Sequence, residues 1–257
     1  MKNKAKYTFG NDTVAADRLK VIADFFNPYA SEFIKKHVNR HVSTVIDLGC
    51  GPGYTTGMLQ YTLSPDTLVG IDNSEQVLKV AKIRFPKFQF IQHDVLSCPF
   101  PIQPDLIYCR FLLSHIKDIK HAASQWFSQL NPEGILIIEE FEKVETSYPF
   151  INDYIKVNSE LIASQGACLH VGKAIKNIHF PGTILENSEH EFQVNDFTVG
   201  CWLYPNTISI WKNSEFIKNR YDMAFLKNIS SKLKKLIESK SREIHTYWFL
   251  RKIAIKK

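Results

Sequence analysis

The sequence predicts an α/β fold: a doubly wound, mostly parallel, seven-stranded Rossmann-like sheet with extra helices forming a lid. Three observations predict it. Short apolar runs alternate with segments of helical period from residue 44 to residue 141. A glycine-rich turn follows the first apolar run, where a strand hands over to a helix. Mainly helical sequence then follows the alternation, as expected for a lid added to a complete α/β core.

The elements follow in order. Ala15–Lys36 repeats Leu19, Ile22, Ala23 and Phe26 at helical spacing and is expected to break at Pro28. Thr44-Val45-Ile46-Asp47-Leu48 reads as a buried strand, followed by the glycine turn and a helix over Tyr54–Tyr61. A second strand spans Thr67–Asp72, and Asn73 or Ser74 caps a helix that runs to about Arg84 before Pro86. Phe88–Gln92 and Leu106–Cys109 read as strands, Ala122–Leu130 as a helix, and Asn131-Pro132-Glu133-Gly134 as a turn into the apolar strand Ile135–Phe141. Residues 146–183 read as mainly helical, with a strand over Ile184–Val194, helices through roughly 200–240, and a last strand over Tyr247–Ile255. No repeat, linker or low-complexity stretch divides the chain, so residues 1–257 read as one domain.

The 257 residues are 44% hydrophobic and 23% charged, which suits a packed core and argues against disorder. No apolar run approaches the roughly 18 residues a membrane span needs. The basic Met1-Lys2-Asn3-Lys4 lacks the apolar stretch of a signal peptide, so a cytoplasmic protein is expected. Cys50, Cys98, Cys109, Cys168 and Cys201 form no metal-site spacing and read as reduced, mostly buried thiols; no metal is expected. From Lys212 to Lys257 there are 13 Lys/Arg against 4 Asp/Glu. Leu226, Ile229, Leu233, Leu236 and Ile237 recur there at helical spacing, so the excess reads as the solvated face of an amphipathic helix.

The chemistry concentrates in Asp47-Leu48-Gly49-Cys50-Gly51-Pro52-Gly53. Glycines there let a ligand approach the backbone, and the following helix offers free N–H groups. The dinucleotide fingerprint needs a glycine where Tyr54 stands, which weighs against a nicotinamide dinucleotide and its oxidoreductases. Asp47 decides further: a carboxylate before the turn repels a pyrophosphate and attracts an ammonium. S-adenosylmethionine carries an ammonium at its amino-acid end and no phosphate. Asp72, 19 residues after Gly53, can accept from ribose hydroxyls, and Asp94, in His93-Asp94-Val95, from an adenine amino group.

In these residues the chain resembles the class I S-adenosylmethionine-dependent methyltransferases of small-molecule, bacterial type. The resemblance covers roughly residues 40–145 through VIDLGCGPG, GIDNS, QHDV and NPEGILIIEE. It implies a single methyltransferase domain over 1–257: capping helices over 1–40, a cofactor-binding core over 41–145, and lid helices and final strands over 146–257. It implies cofactor contacts from Asp47, Gly49, Cys50, Gly51 and Gly53 at the methionine end, and from Asp72, Asn73, Asp94 and Val95 at the nucleoside. Arg110, after the fourth strand, joins the cofactor-binding set, and Arg18 is a candidate partner of the cofactor's carboxylate; Tyr7 is a second cover residue from the N-terminal arm.

The expected reaction is in-line transfer of the sulfonium methyl to an oxygen, nitrogen or carbon of a small organic acceptor. His115, five residues after Arg110, is the candidate general base, against a packing role among Leu112, Leu113 and Ile116. Tyr154, His170 and Trp202 are candidates to shape the acceptor site, or plain core. Cys109-Arg110-Phe111-Leu112 carries neither the Asn- or Asp-Pro-Pro-aromatic motif of amino-group methylation nor a Pro-Cys nucleophile. Those absences weigh against nucleic acid. The alternatives are a protein or RNA methyltransferase, favoured only by the basic C-terminus, and a non-catalytic S-adenosylmethionine-binding protein. The sequence does not identify the acceptor or the oligomeric state.

Overall fold

A computed structural model describes residues 13–257, with side chains over 17–257. Its elements are α1 (Thr13–His37), β1 (Thr44–Leu48), α2 (Tyr54–Leu63), β2 (Thr67–Asp72), α3 (Glu75–Arg84), β3 (Gln89–Gln92) and β4 (Leu106–Arg110). There follow α4 (Ile119–Ser128), β5 (Ile135–Thr146), α5 (Pro149–Ser164), α6 (Val171–Ile175) and β6 (Thr183–Asn195). The chain ends in α7 (Asp196–Asn213), α8 (Glu215–Arg220), α9 (Met223–Ser239) and β7 (Ile244–Lys256). The strands form one seven-stranded sheet in the order β3-β2-β1-β4-β5-β7-β6. The first five strands in chain order pair in parallel, and β7 is antiparallel to both β5 and β6.

The two-residue period of each strand sends alternate side chains into different cores. Ile46, Leu48, Val69, Ile71, Ile107, Cys109, Leu136 and Ile138 pack with Ala122, Ala123 and Trp126 of α4 and Val171 and Ile175 of α6. Val45, Leu68, Leu106, Tyr108, Ile135 and Ile137 pack instead with Ala30, Phe33 and Ile34 of α1 and Met58 and Leu59 of α2. Asp47 and Arg110 share the alternation of Val45 and Tyr108, which puts them on the α1 side of the sheet. A third core joins Phe26 and Phe141 to α5, α7, α8 and α9. That third core is the cap.

The helix expected to break at Pro28 runs through it, from Thr13 to His37. Ala23, Phe26, Ala30, Phe33 and Ile34 are buried along one continuous stripe across the proline. Packing on both sides of Pro28 outweighs the one hydrogen bond it removes. Ser74 caps α3, its hydroxyl accepting from the Val77 N–H. In α9, Leu226, Ile229 and Leu233 are buried and the lysines lie outward, so the basic segment is an amphipathic helix. Among the cysteines only Cys50 and Cys109 are buried; Cys168 is exposed. No helix among the described residues is long and apolar enough to cross a membrane.

Candidate active site

The strand order reverses between β1 and β4, and α/β sheets bind ligands beyond the carboxyl ends of their strands at such a switch. Asp47 lies there, fully buried. Its Oδ2 accepts from Thr55 Oγ1 at 2.7 Å and Thr56 Oγ1 at 2.6 Å. Burial pushes the carboxyl up to about 6; the two threonine hydroxyls, and then the Arg110 charge, pull the other way. A carboxylate so buried and without a direct cation partner among the described residues is poised for a cationic ligand group.

The turn beyond it is shaped by positive backbone angles. Gly51 has φ +52°, and a Cβ placed there would stand in open space, so its backbone borders room for a ligand. Gly53 has φ +85°, and a Cβ there would collide with the Phe85 and Phe90 rings at 2.9 Å. Gly49 lies under Leu112, the residue that lids the turn from the β4 side. Cys50 buries its side chain with Leu78, Ala81 and Phe90, and its N–H donates to the Ile71 carbonyl.

Asp72 receives the Gly51 N–H on Oδ2 at 3.1 Å and the Ser74 N–H on Oδ1 at 2.8 Å. It therefore braces the glycine turn while keeping part of its surface accessible, and burial raises its pKa. Asn73 is exposed, and its carbonyl accepts from Gln92 Nε2. Asp94 is exposed at the end of β3 and accepts the Leu96 N–H, while Val95 is buried and its carbonyl is held by Trp126 Nε1.

Four charges stand in alternating sign across the α1 face of neighbouring strands: Asp47, Arg110, Glu139 and Lys252. Arg110 is in register with Glu139, and Glu139 with Lys252. Glu139 is already engaged, by Lys252 Nζ at 2.9 Å and Tyr108 Oη at 2.9 Å. Arg110 turns to α1 instead: its Nη2 donates to Asn27 Oδ1 at 2.8 Å, and its buried Nη1 has no hydrogen-bond partner among the described residues. Buried donors are rarely left so, and an unpaired one beside a ligand cleft marks a place for an acceptor.

The two candidate arginines separate. Arg110 is the charge felt at Asp47, whereas Arg18 is the charge felt at His115 and Tyr154. Arg18 Nε donates to the Trp202 carbonyl at 2.6 Å, which ties it to the cap beside His115. Burial, and then Arg18, hold the His115 imidazole down to about 4. Its segment is gathered by Glu140, whose Oε1 accepts the N–H groups of Leu112 at 2.8 Å and Leu113 at 2.7 Å. Burial pushes that carboxyl up to about 8 in spite of those bonds.

Tyr154 and Trp202 are buried in the cap. Tyr154 stacks on Trp211 with centroids 5.2 Å apart and accepts from Asn206, and Trp202 stacks on Phe26 at 5.3 Å. His170 is held by Ser159 and the Glu142 carbonyl, with its ring against Phe141. Tyr7 lies outside the described residues. Sequence reasoning missed Asn27, Glu139, Glu140 and Lys252; the run of acids in Glu139-Glu140 within an apolar strand was the available signal for the middle two.

Comparison with known proteins bears on this geometry. A methyltransferase-domain family model matches residues 45–134. Over those residues the chain is similar to methyltransferase domains. A trans-aconitate 2-methyltransferase of Delftia acidovorans is 34% identical over 113 residues, 43% of this chain and 42% of that protein. The chain thus matches about two fifths of the length of that relative. A putative methyltransferase from Bacillus halodurans superposes with a TM-score of 0.57 at 15% identity, over 94% of this chain and 99% of that one. Coclaurine N-methyltransferase, solved with N-methylheliamine and S-adenosylhomocysteine, gives 0.56 at 12% identity, over 90% of this chain and 72% of that one. At such identities these structures share the fold.

Proposed function

We propose that the protein transfers a methyl group from S-adenosylmethionine to a carboxylate oxygen of a small organic acid. One observation carries the cofactor half: a buried carboxylate and a buried guanidinium with an open donor stand side by side at the glycine turn. That pair complements an α-amino-acid zwitterion, with the ammonium at Asp47 and the carboxylate at Arg110 Nη1. A pyrophosphate would meet Asp47 as a like charge.

The residues fit the rest of the cofactor. Gly51 leaves room beside its backbone, Gly49 and Gly53 shape the turn, and Asp72 keeps lone pairs for ribose hydroxyls. Asp94, Asn73 and Val95 border the nucleoside end. When bound, the sulfonium supplies an activated methyl group. The protein's task is then to hold the acceptor in line with it, worth up to roughly 7–11 kcal/mol in favourable cases.

The acceptor half rests on Arg18 and His115, and on the name of the trans-aconitate relatives. Arg18 supplies a fixed cation beside His115 for an acid's carboxylate. An imidazole held near 4 is neutral at physiological pH and far from the value near 7 that suits a general base, so His115 acts as a hydrogen-bond partner. A carboxylate acceptor needs no base, because it arrives ionised. Phe26 and Phe111, 5.6 Å apart, close the apolar wall between the two halves.

Calorimetry with S-adenosylmethionine, S-adenosylhomocysteine and NAD tests the cofactor, and transfer of labelled methyl to trans-aconitate and other di- and tricarboxylates tests the acceptor. The expected result is binding of the first two ligands and label in a base-labile ester. NAD in the cleft, or label that goes only to amines, overturns the reading.

A further inference from the structure

Asn27 lies midway along α1, half-buried, immediately before Pro28. Its side chain spans two other elements. The Oδ1 accepts from Arg110 Nη2 at the end of β4, and the Nδ2 donates to the Tyr54 carbonyl at 3.3 Å, in the first turn of α2. A guanidinium only donates and a carbonyl only accepts, so the two partners together fix which way the amide faces. Tyr54 directly follows Gly53. Asn27 therefore joins the glycine turn to the arginine across the cleft mouth.

We propose that Asn27 is a positioning residue that aims the Arg110 guanidinium at the carboxylate of the cofactor's amino-acid end. The proposal rests on the reading of Arg110 given above. The guanidinium is planar and rigid, so capturing Nη2 also sets the direction of Nη1, the donor left open. Glu139, in register with Arg110, makes no ion pair with it; the Glu139 carboxylate lies against Lys252 Nζ and the Tyr108 hydroxyl instead. A neutral amide suits the task better than an acid would: a carboxylate at this position would cancel the Arg110 charge and meet the Tyr54 carbonyl as a second acceptor. Alignment before the ligand arrives spares the ordering of a long side chain during binding.

The test is calorimetry on the intact protein with two probes, S-adenosylhomocysteine and its decarboxylated amine. Both keep the ammonium that Asp47 would hold, and only the first has the carboxylate. The Asn27→Ala variant is expected to bind S-adenosylhomocysteine about tenfold more weakly and the amine within about twofold of wild type. Asn27→Asp is expected to lose S-adenosylhomocysteine affinity by more than the alanine variant, again with the amine little changed. Retained amine binding also shows that the variant is folded. Equal losses for the two probes, in either variant, overturn the proposal in favour of plain packing, as does unchanged affinity for S-adenosylhomocysteine. If the wild type itself fails to prefer S-adenosylhomocysteine over the amine, the Arg110 reading falls; if it does prefer it and the variants lose both probes equally, only the role of Asn27 falls.

Discussion

The parallel and antiparallel halves of the sheet differ in where their buried acids meet cations. The parallel strands β1 to β4 are four to six residues long, and β5, β6 and β7 are 12 or 13. In the long half two buried acids have direct cation partners: Lys252 Nζ lies 2.9 Å from Glu139, and Arg251 grips Glu142 through two nitrogens, at 2.6 and 2.8 Å, while Glu140 between them accepts backbone N–H groups instead. Arg251 helps hold Glu142 below its ordinary pKa against the opposing pull of burial. In the short half Asp47 has hydroxyls for company, and burial wins. A buried charge satisfied within the fold is structural, whereas one left for an outside partner marks the place where that partner binds.

Breaking a charge pair in the long half should cost stability. Lys252→Met leaves Glu139 buried without its cation, and chemical denaturation should show a loss of about 3–5 kcal/mol. The same kind of change in the short half should cost binding. Asp47→Asn keeps acceptors for Thr55 and Thr56, so the fold should hold, while S-adenosylmethionine affinity measured by calorimetry should fall about 100-fold. A large loss of stability in the second variant, or none in the first, breaks the contrast.

The pH dependence is a smaller effect with a definite sign. An ammonium at Asp47 favours its charged form, so cofactor affinity should be flat above about pH 7 and fall by up to tenfold per unit below about 6. Folding responds in the opposite sense. The folded carboxyl holds its proton more tightly than the unfolded one, so Asp47 withdraws stability as pH rises from about 4 to about 6. Titration of affinity and melting temperature over that range checks both signs. The smallest effect belongs to the cap: Lys240 caps α9 at φ +52°, and Lys240→Gly should add about 0.5–1 kcal/mol by thermal melting without moving cofactor affinity.

The core was legible because its signals are local. A strand of period two, a turn needing φ above zero at Gly51 and Gly53, and a cap at Ser74 each depend on a few adjacent residues. The long strands were less so. Ile135–Phe141 and Tyr247–Ile255 were expected, whereas β5 runs to Thr146 and β7 begins at Ile244. Glu142 and Lys143 look like an exit from the core until Arg251 and Glu189 are seen opposite them. Pro28 misled for the same reason, because the packing that carries α1 past it lies far away in sequence.

The candidate site divides along that line. Asp47, Asp72 and the glycines could be singled out from the sequence, because each stands at the end of a recognisable strand or in the turn that follows it. Arg18 and Arg110 could be noticed there but not assigned, since an arginine's side chain reaches across several elements and its partners are set by packing. Asn27 carries no motif at all; its meaning arises where α1 meets the first turn of α2 and the end of β4. Local chemistry in this chain determined the carboxylate and the glycine backbone that the turn presents. Only the tertiary structure separated Arg110, beside Asp47, from Arg18, beside His115, because Coulomb forces and hydrogen bonds act over ångströms in space and take no account of separation along the chain.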